Sequence, residues 1–266
     1  MDFLNDQLQI MRSEILEALK KINGNTSLKM HIDGQEFINS NPDFVHPATG
    51  LTKLMLLAYV MDQLSRGRLN LQQSISIAPQ HIVGGKGILQ HLNERTWTLE
   101  ELLVFAISAE DNTAANAIIG SIGPGTLQQW LKRSPYTSTT FERFFMDQSS
   151  LQSGHDNKIS AADSLKMLTS ILDLSTEGQP LAKRLLFNQQ SKDKVSAAFV
   201  ESMSQVQVLN LTGEGSRTDH DVVRLIGNHH AIDIAFLTSG AADRISVLST
   251  MQLVGQYAVD ILYKLN

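Results

Sequence analysis

His46-Pro47-Ala48-Thr49-Gly50-Leu51-Thr52-Lys53-Leu54-Met55-Leu56-Leu57-Ala58-Tyr59 is the stretch on which the reading of this chain turns. Pro47 ends a loop, and Thr49 is read as the N-cap of a helix running from about Gly50 to Arg66. From Leu51 onward nearly every side chain is apolar, with Lys53 the exception. A helix that is apolar on all sides belongs in the interior, not on the surface. A lysine in its first turn is costly unless it is paired or put to chemical use. Residues three apart share a helix face, so Lys53 is within proton-transfer reach of whatever stands at position 50. That residue is Gly50, which has no side chain to offer.

The rest of the composition narrows the setting. With 266 residues, 42% hydrophobic and 18% charged, the chain can bury a sizeable core as one large or two interleaved units. A net charge of −5 without blocks of like charge argues against nucleic acid or an anionic membrane as the main partner. Without cysteine there is no disulfide, thiol catalysis or Cys-ligated zinc. The eight histidines form no H-E-x-x-H, and His229-His230, read as strand neighbours, would face opposite ways. The expectation is no metal and no cofactor. The opening Met1-Asp2-Phe3-Leu4-Asn5-Asp6 is acidic where an export signal is basic, and no long apolar run follows. The chain is expected to be a monomer without a membrane span, cytoplasmic or exported with its signal trimmed.

In chain order, apolar residues at helical spacing over 3–22 predict a first helix. Ser27–Ile32 and Gln35–Asn39 predict a hairpin around Asp33-Gly34. Gly84-Gly85-Lys86-Gly87 reads as a flexible turn, because it lacks the spacing of a phosphate cradle. Thr98 starts a helix, and Glu110-Asp111-Asn112 is a polar break before another. Residues 134–158 form a long loop anchored by Phe141, Phe144, Phe145 and Met146. Helical spacing returns over Ala161–Leu174. Three late strands (206–211, 221–226, 231–237) and a final helix from about Ser246 close the chain. Strands near both ends with helices between imply an α+β fold: one antiparallel sheet built from both chain ends, packed by terminal helices, with an inserted helical lobe. The expected division is a sheet domain of 1–48 and 200–266, a helical domain of 49–199, and a cleft between them.

This order of motifs resembles the class A β-lactamase and penicillin-recognising serine hydrolase family over nearly the whole chain. The matches are the Lys53 helix, Gly84-Gly85-x-Gly87-Ile88-Leu89 and Asp111-Asn112-Thr113-Ala114-x-Asn116. They continue with Arg143-Phe144-Phe145-Met146-Asp147, Gly154-x-Asp156-Asn157, Thr212-Gly213-Glu214-Gly215 and His220-Asp221. The resemblance implies a β-lactamase/transpeptidase-like fold and acyl transfer by three constellations. A Ser-x-x-Lys serine attacks the carbonyl, a Ser-Asp-Asn loop relays a proton, and a Lys-Thr-Gly strand edge receives the substrate carboxylate.

The chain departs from all three. Gly50 stands for the nucleophile, Glu110 for the serine of Ser-Asp-Asn, and Leu211 for the lysine of Lys-Thr-Gly; the long loop has no Glu-x-x-Leu-Asn. Lys53 and Asn112 keep the catalytic type, and Thr212, Gly213 and Glu214 are the expected binding residues. A lysine lost and a glutamate gained lower the local charge by two, so Glu110 and Lys53 are expected to pair across the cleft. Thr49 and Thr52 are poorly placed as substitute nucleophiles. The reading is a pseudo-enzyme with a binding or regulatory role, its ligand a small molecule or peptidoglycan peptide. The alternative is a β-lactam or D-Ala-peptide hydrolase of low or altered activity.

Overall fold

The structure is a computed structural model that describes residues 2–173, 178–200 and 206–265. The chain opens with α1 (Asp2–Lys20), β1 (Asn25–Ile32), β2 (Gln35–Ser40) and the two-residue β3 (His46–Pro47). A single 3₁₀ turn at Thr49–Leu51 leads into α2 (Thr52–Ser65). β4 (Ser74–Ser76) pairs with β5 (Thr96–Thr98), and α3 (Leu99–Leu103) runs on as a wider π turn over Val104–Ser108. There follow α4 (Asn112–Ile122), α5 (Pro124–Arg133), α6 (Gln148–Gln152) and β6 (Lys158–Ile159), which pairs with β3. α7 (Ala161–Asp173), α8 (Gln179–Phe187) and α9 (Ala197–Val200) precede β7 (Gln207–Gly215), β8 (Thr218–Ile226), β9 (Ala231–Ser239) and α10 (Arg244–Leu265).

The main sheet has the order β2-β1-β9-β8-β7, every pair antiparallel. Its middle strand, β9, is largely apolar because both faces are covered. Alternation distributes its side chains: Ile232, Ile234 and Phe236 join one core cluster with α1 and α10, while Ala235 and Leu237 join the other with the helices of the lobe. α10 is long and apolar enough to cross a membrane by length and composition. Val247, Met251, Val254, Ala258 and Ile261 are instead buried in the cluster behind the sheet, which makes it a core helix. The expected α+β architecture, with the sheet drawn from both ends of the chain, is the observed one.

Local expectations differ at several points. Thr49 caps nothing: the N-cap of α2 is Leu51, with no side-chain cap bond, because the 3₁₀ turn intervenes. The late hairpin is longer than its apolar runs indicate, since Thr212–Gly215 continue β7 and Thr218–His220 begin β8. The polar residues there are strand residues, and those of β7 pair with β8 as far as Gly215–Thr218. Phe141 anchors the long loop at 2% exposure, whereas Met146 is 45% exposed and anchors nothing. His229 and His230 lie in the turn before β9, not on a strand, and His230 Nδ1 meets Asp33 Oδ2 at 2.6 Å. The predicted end of α7 at Leu174 lies outside the described residues.

Candidate functional site

A cavity of about 610 Å³ opens where the start of α2, the glycine loop, Glu110, the 143–157 segment and the β7–β8 turn meet. Six described residues other than glycine have positive φ; three of them, Thr49 (46°), Glu110 (55°) and Met146 (62°), line this cavity. Such backbone is costly for a residue with a Cβ and collects at functional sites. Three cations in the lining, Lys53, Lys86 and Arg143, are matched by three carboxylates, Glu110, Asp156 and Glu214.

The first turn of α2 carries Lys53 into the floor, 2% exposed. Its Nζ donates to Asn112 Oδ1 at 2.9 Å and lies 4.5 Å from the centroid of the Phe145 ring. Neither contact carries a full negative charge. Burial therefore dominates and pushes the ammonium down to about 8, against the opposing pull of Glu110. Asn112 begins α4, whose N-cap Asp111 accepts from Ala114 N–H at 2.9 Å.

The pairing of Glu110 with Lys53 expected from the sequence does not form; Glu110 pairs with Lys86 instead. It is 4% exposed, and its Oε2 is taken by Lys86 Nζ while Thr212 Oγ1 and Gln189 Nε2 donate to Oε1. Burial works to raise its carboxyl, but the bonds from Lys86 and Thr212 outweigh it and hold Glu110 below the ordinary carboxylate range. The lysine that wins comes from the glycine loop, which is clamped from below rather than left flexible. Asp111 Oδ2 accepts from Ile88 N–H at 2.6 Å and Leu89 N–H at 2.8 Å. Gly87 sits at φ 103°, and a Cβ there would come within 2.2 Å of Asp111 Cγ. Only glycine lets the loop come that close, and the approach puts Lys86 over Glu110.

Position 50 has no side chain and no space for one. A Cβ on Gly50 would lie 2.6 Å from the carbonyl oxygen of Thr212 and 3.0 Å from Gly213 Cα. β7 therefore rests directly against the turn before α2. Next to it, Thr49 Oγ1 is buried with no hydrogen-bond partner among the described residues. Leu211 is fully buried in the core cluster of the lobe. Neither Leu211 nor Thr212 nor Gly213 lines the cavity; Glu214 does, and bonds Lys86 at 3.1 Å.

Outward from the floor, the ion pairs run on along the strand edge. Glu214 also pairs with Arg244, Arg244 reaches Asp219 at 3.0 Å, and Asp219 holds the buried Lys194 at 3.1 Å. On the opposite wall Arg143 Nε donates to Asp156 Oδ1 at 2.8 Å. Asn157 there ties the long loop together, accepting from Glu142 and Arg143 N–H and donating to Thr52 Oγ1 at 3.2 Å. Of the residues singled out from sequence, Lys53, Asn112, Glu110, Gly50 and Glu214 meet at this cavity. Sequence reasoning missed Lys86, Gln189, Arg143 and Arg244 as parts of the charge arrangement. Lys86 carried a signal: a lone lysine among glycines is a cation on a backbone free to approach closely. Gln189 carried none.

Comparison with known proteins places this geometry in a family. The profile of the beta-lactamase enzyme family matches residues 10–262, and the chain belongs to that family. Beta-lactamase VEB-1 of Pseudomonas aeruginosa is 23% identical over 145 residues, which are 53% of this chain and 48% of that protein. The matched stretch thus spans about half the length of that curated relative. Among solved structures, a beta-lactamase from Sphaerobacter thermophilus superposes with a TM-score of 0.84 at 20% identity, covering 94% of this chain and 96% of the other. A beta-lactamase from Xanthomonas campestris gives 0.81 at 19% identity over 97% and 98% of the two chains. PBP-A gives 0.79 at 18% identity over 94% and 96%. At these identities the likeness is one of fold.

Proposed function

We propose that this member of the beta-lactamase family binds a ligand in its cleft without hydrolysing it, as a pseudo-enzyme with a recognition or regulatory role. The observation that carries the reading is the contact at position 50. Acyl transfer of the family's kind needs a hydroxyl beside Lys53. Gly50 lacks one, and the carbonyl of Thr212 stands 2.6 Å from where even a Cβ would be. Lys53 and Asn112, the retained residues of catalytic type, are bonded to each other. Glu110 would make a poor general base for water, because its carboxylate is held low by Lys86 and Thr212 and both its oxygens are engaged.

A small molecule or peptidoglycan peptide bearing both charges fits the cleft better than a simple anion. Its lining holds as many carboxylates as cations, so a ligand carboxylate finds no surplus of positive charge. The division into a sheet domain of 1–48 and 200–266 and a helical domain of 49–199 belongs to the same proposal, with the ligand held where they meet.

The test is acylation. Incubated with a fluorescent penicillin, the protein should form no covalent adduct, and nitrocefin should turn over no faster than in buffer. A stoichiometric adduct or steady hydrolysis would establish the alternative, a hydrolase of low or altered activity. The triple variant Gly50→Ser, Glu110→Ser, Leu211→Lys examines the positional equivalence. Acylation gained by that variant, but not by Gly50→Ser alone, supports the assignment of all three positions.

A further inference from the structure

A second cavity, about 490 Å³, lies toward the other end of α2, between that helix, α5 and α7. Where the charges lining the cleft balance, those lining this cavity do not. Three arginines, Arg66, Arg68 and Arg133, line it with a single carboxylate, Asp62. Asp62 is already committed: Oδ1 accepts from Arg66 Nε at 2.9 Å and Oδ2 from Trp130 Nε1 at 3.0 Å. Among the described residues, the guanidinium groups of Arg68 and Arg133 make no hydrogen bond or ion pair. Two cations at the mouth are therefore uncompensated.

The wall beneath them is aromatic and held in place. Trp130 stands edge-on to Tyr59 with ring centres 5.6 Å apart, and its ring is 5.7 Å from that of Tyr136. The indole is fixed by Asp62, and the Tyr136 hydroxyl by Ser170 Oγ at 2.9 Å. A preorganised wall loses little freedom when a ring settles on it, and planar guanidinium forks favour oxyanions.

We propose that this cavity binds a planar aromatic molecule bearing an oxyanion, its ring against Trp130 and Tyr136 and its oxyanion on Arg68 and Arg133. The ligand chemistry is an aryl carboxylate or a nucleoside monophosphate, which share a flat ring and an exposed oxyanion. The site is independent of the cleft and does not rest on the loss of hydrolysis there.

Isothermal titration calorimetry on the full chain tests it, with adenosine 5′-monophosphate and 2-naphthoate as probes and adenosine and 2-naphthol as uncharged controls. At least one anion should bind with a Kd under about 1 mM, and the double variant R68Q/R133Q should weaken it about ten-fold or more. The exposed arginines can be replaced without disturbing the core, and the cleft variant K86Q should bind as the parent does. Binding of the phosphate alone or of the carboxylate alone supports the site and identifies its oxyanion. The proposal is overturned if neither anion binds up to several millimolar, if the uncharged controls bind as well, or if R68Q/R133Q retains the affinity. Loss of binding in K86Q in place of R68Q/R133Q would put the ligand in the cleft and equally sink it.

Discussion

Lys53 and Lys194 are both buried, at 2% and 1% exposure, and the protein treats them in opposite ways. Lys194 is surrounded by negative groups: Asp219 at 3.1 Å, the Gly213 carbonyl at 2.8 Å and the His220 carbonyl at 3.4 Å. It ties β7 to β8 from beneath. Lys53 has one amide oxygen and one aromatic face, and its charge is held at a cost. The carboxylate that could have neutralised it, Glu110, is bonded to Lys86. A buried cation that is compensated is architecture. One left partly uncompensated in a cavity points to a site, here one whose neighbouring position, Gly50, has no side chain and is closed by β7.

Four substitutions probe that contrast, from the largest expected effect to the smallest. Lys194→Met should destabilise by about 3 kcal/mol or more, since it leaves the buried Asp219 with Arg244 as its one cation among the described residues. Urea denaturation measures it, and a loss under about 1 kcal/mol would erase the distinction between the two lysines. Lys53→Met should do the reverse and stabilise. With the folded ammonium lowered from 10.5 to about 8, the unfolded chain holds a proton the folded one gives up between those values. Stability should therefore rise from about pH 8 to 10.5, and below 8 the buried charge should cost about 3 kcal/mol, the upper limit of the gain at pH 7. The variant's pH profile should be flat across that window; a loss of stability at pH 7 would show that Asn112 and Phe145 compensate the charge fully.

Gly50→Ser should cost about 2 kcal/mol, because its Cβ needs β7 to move. A thermal midpoint equal to the parent's would mean the strand yields freely and the position could hold a nucleophile after all. Lys86→Gln is the mildest. Lys86 is 43% exposed, and the buried Glu110 keeps its bonds from Thr212 and Gln189 while a glutamine amide can still donate to it, so the loss should be about 1 kcal/mol. The sharper readout is NMR titration of Glu110, whose carboxyl should move up once Lys86 no longer holds it down. An unmoved titration would place the cause with the Thr212 bond and the nearby Lys53 charge.

Much of the fold was legible because it is written in local periodicity. The apolar run Leu54–Tyr59 reads as a buried helix wherever it occurs, and the alternation in Ile232–Leu237 sorts side chains to two covered faces. The capping box of Thr98 and Glu101 is equally local and forms as written. The longer reach of β7 was not legible, since Thr212-Gly213-Glu214-Gly215 is polar and glycine-rich, the composition of a turn. Only pairing with β8 makes it strand.

The sequence by itself determined the long helices, the core of the sheet, the family likeness and the lack of a hydroxyl at Gly50, all properties of residue type and order. The tertiary structure alone decided which cation Glu110 would take. Lys86 and Glu110 are separated by 24 residues, and they meet because Asp111 pulls the glycine loop down by its own backbone amides. It also decided that the gap at Gly50 is filled by the carbonyl of Thr212, a contact between segments distant in the chain. Charge pairing and steric closure depend on distances set by packing, and no periodicity in the sequence encodes those.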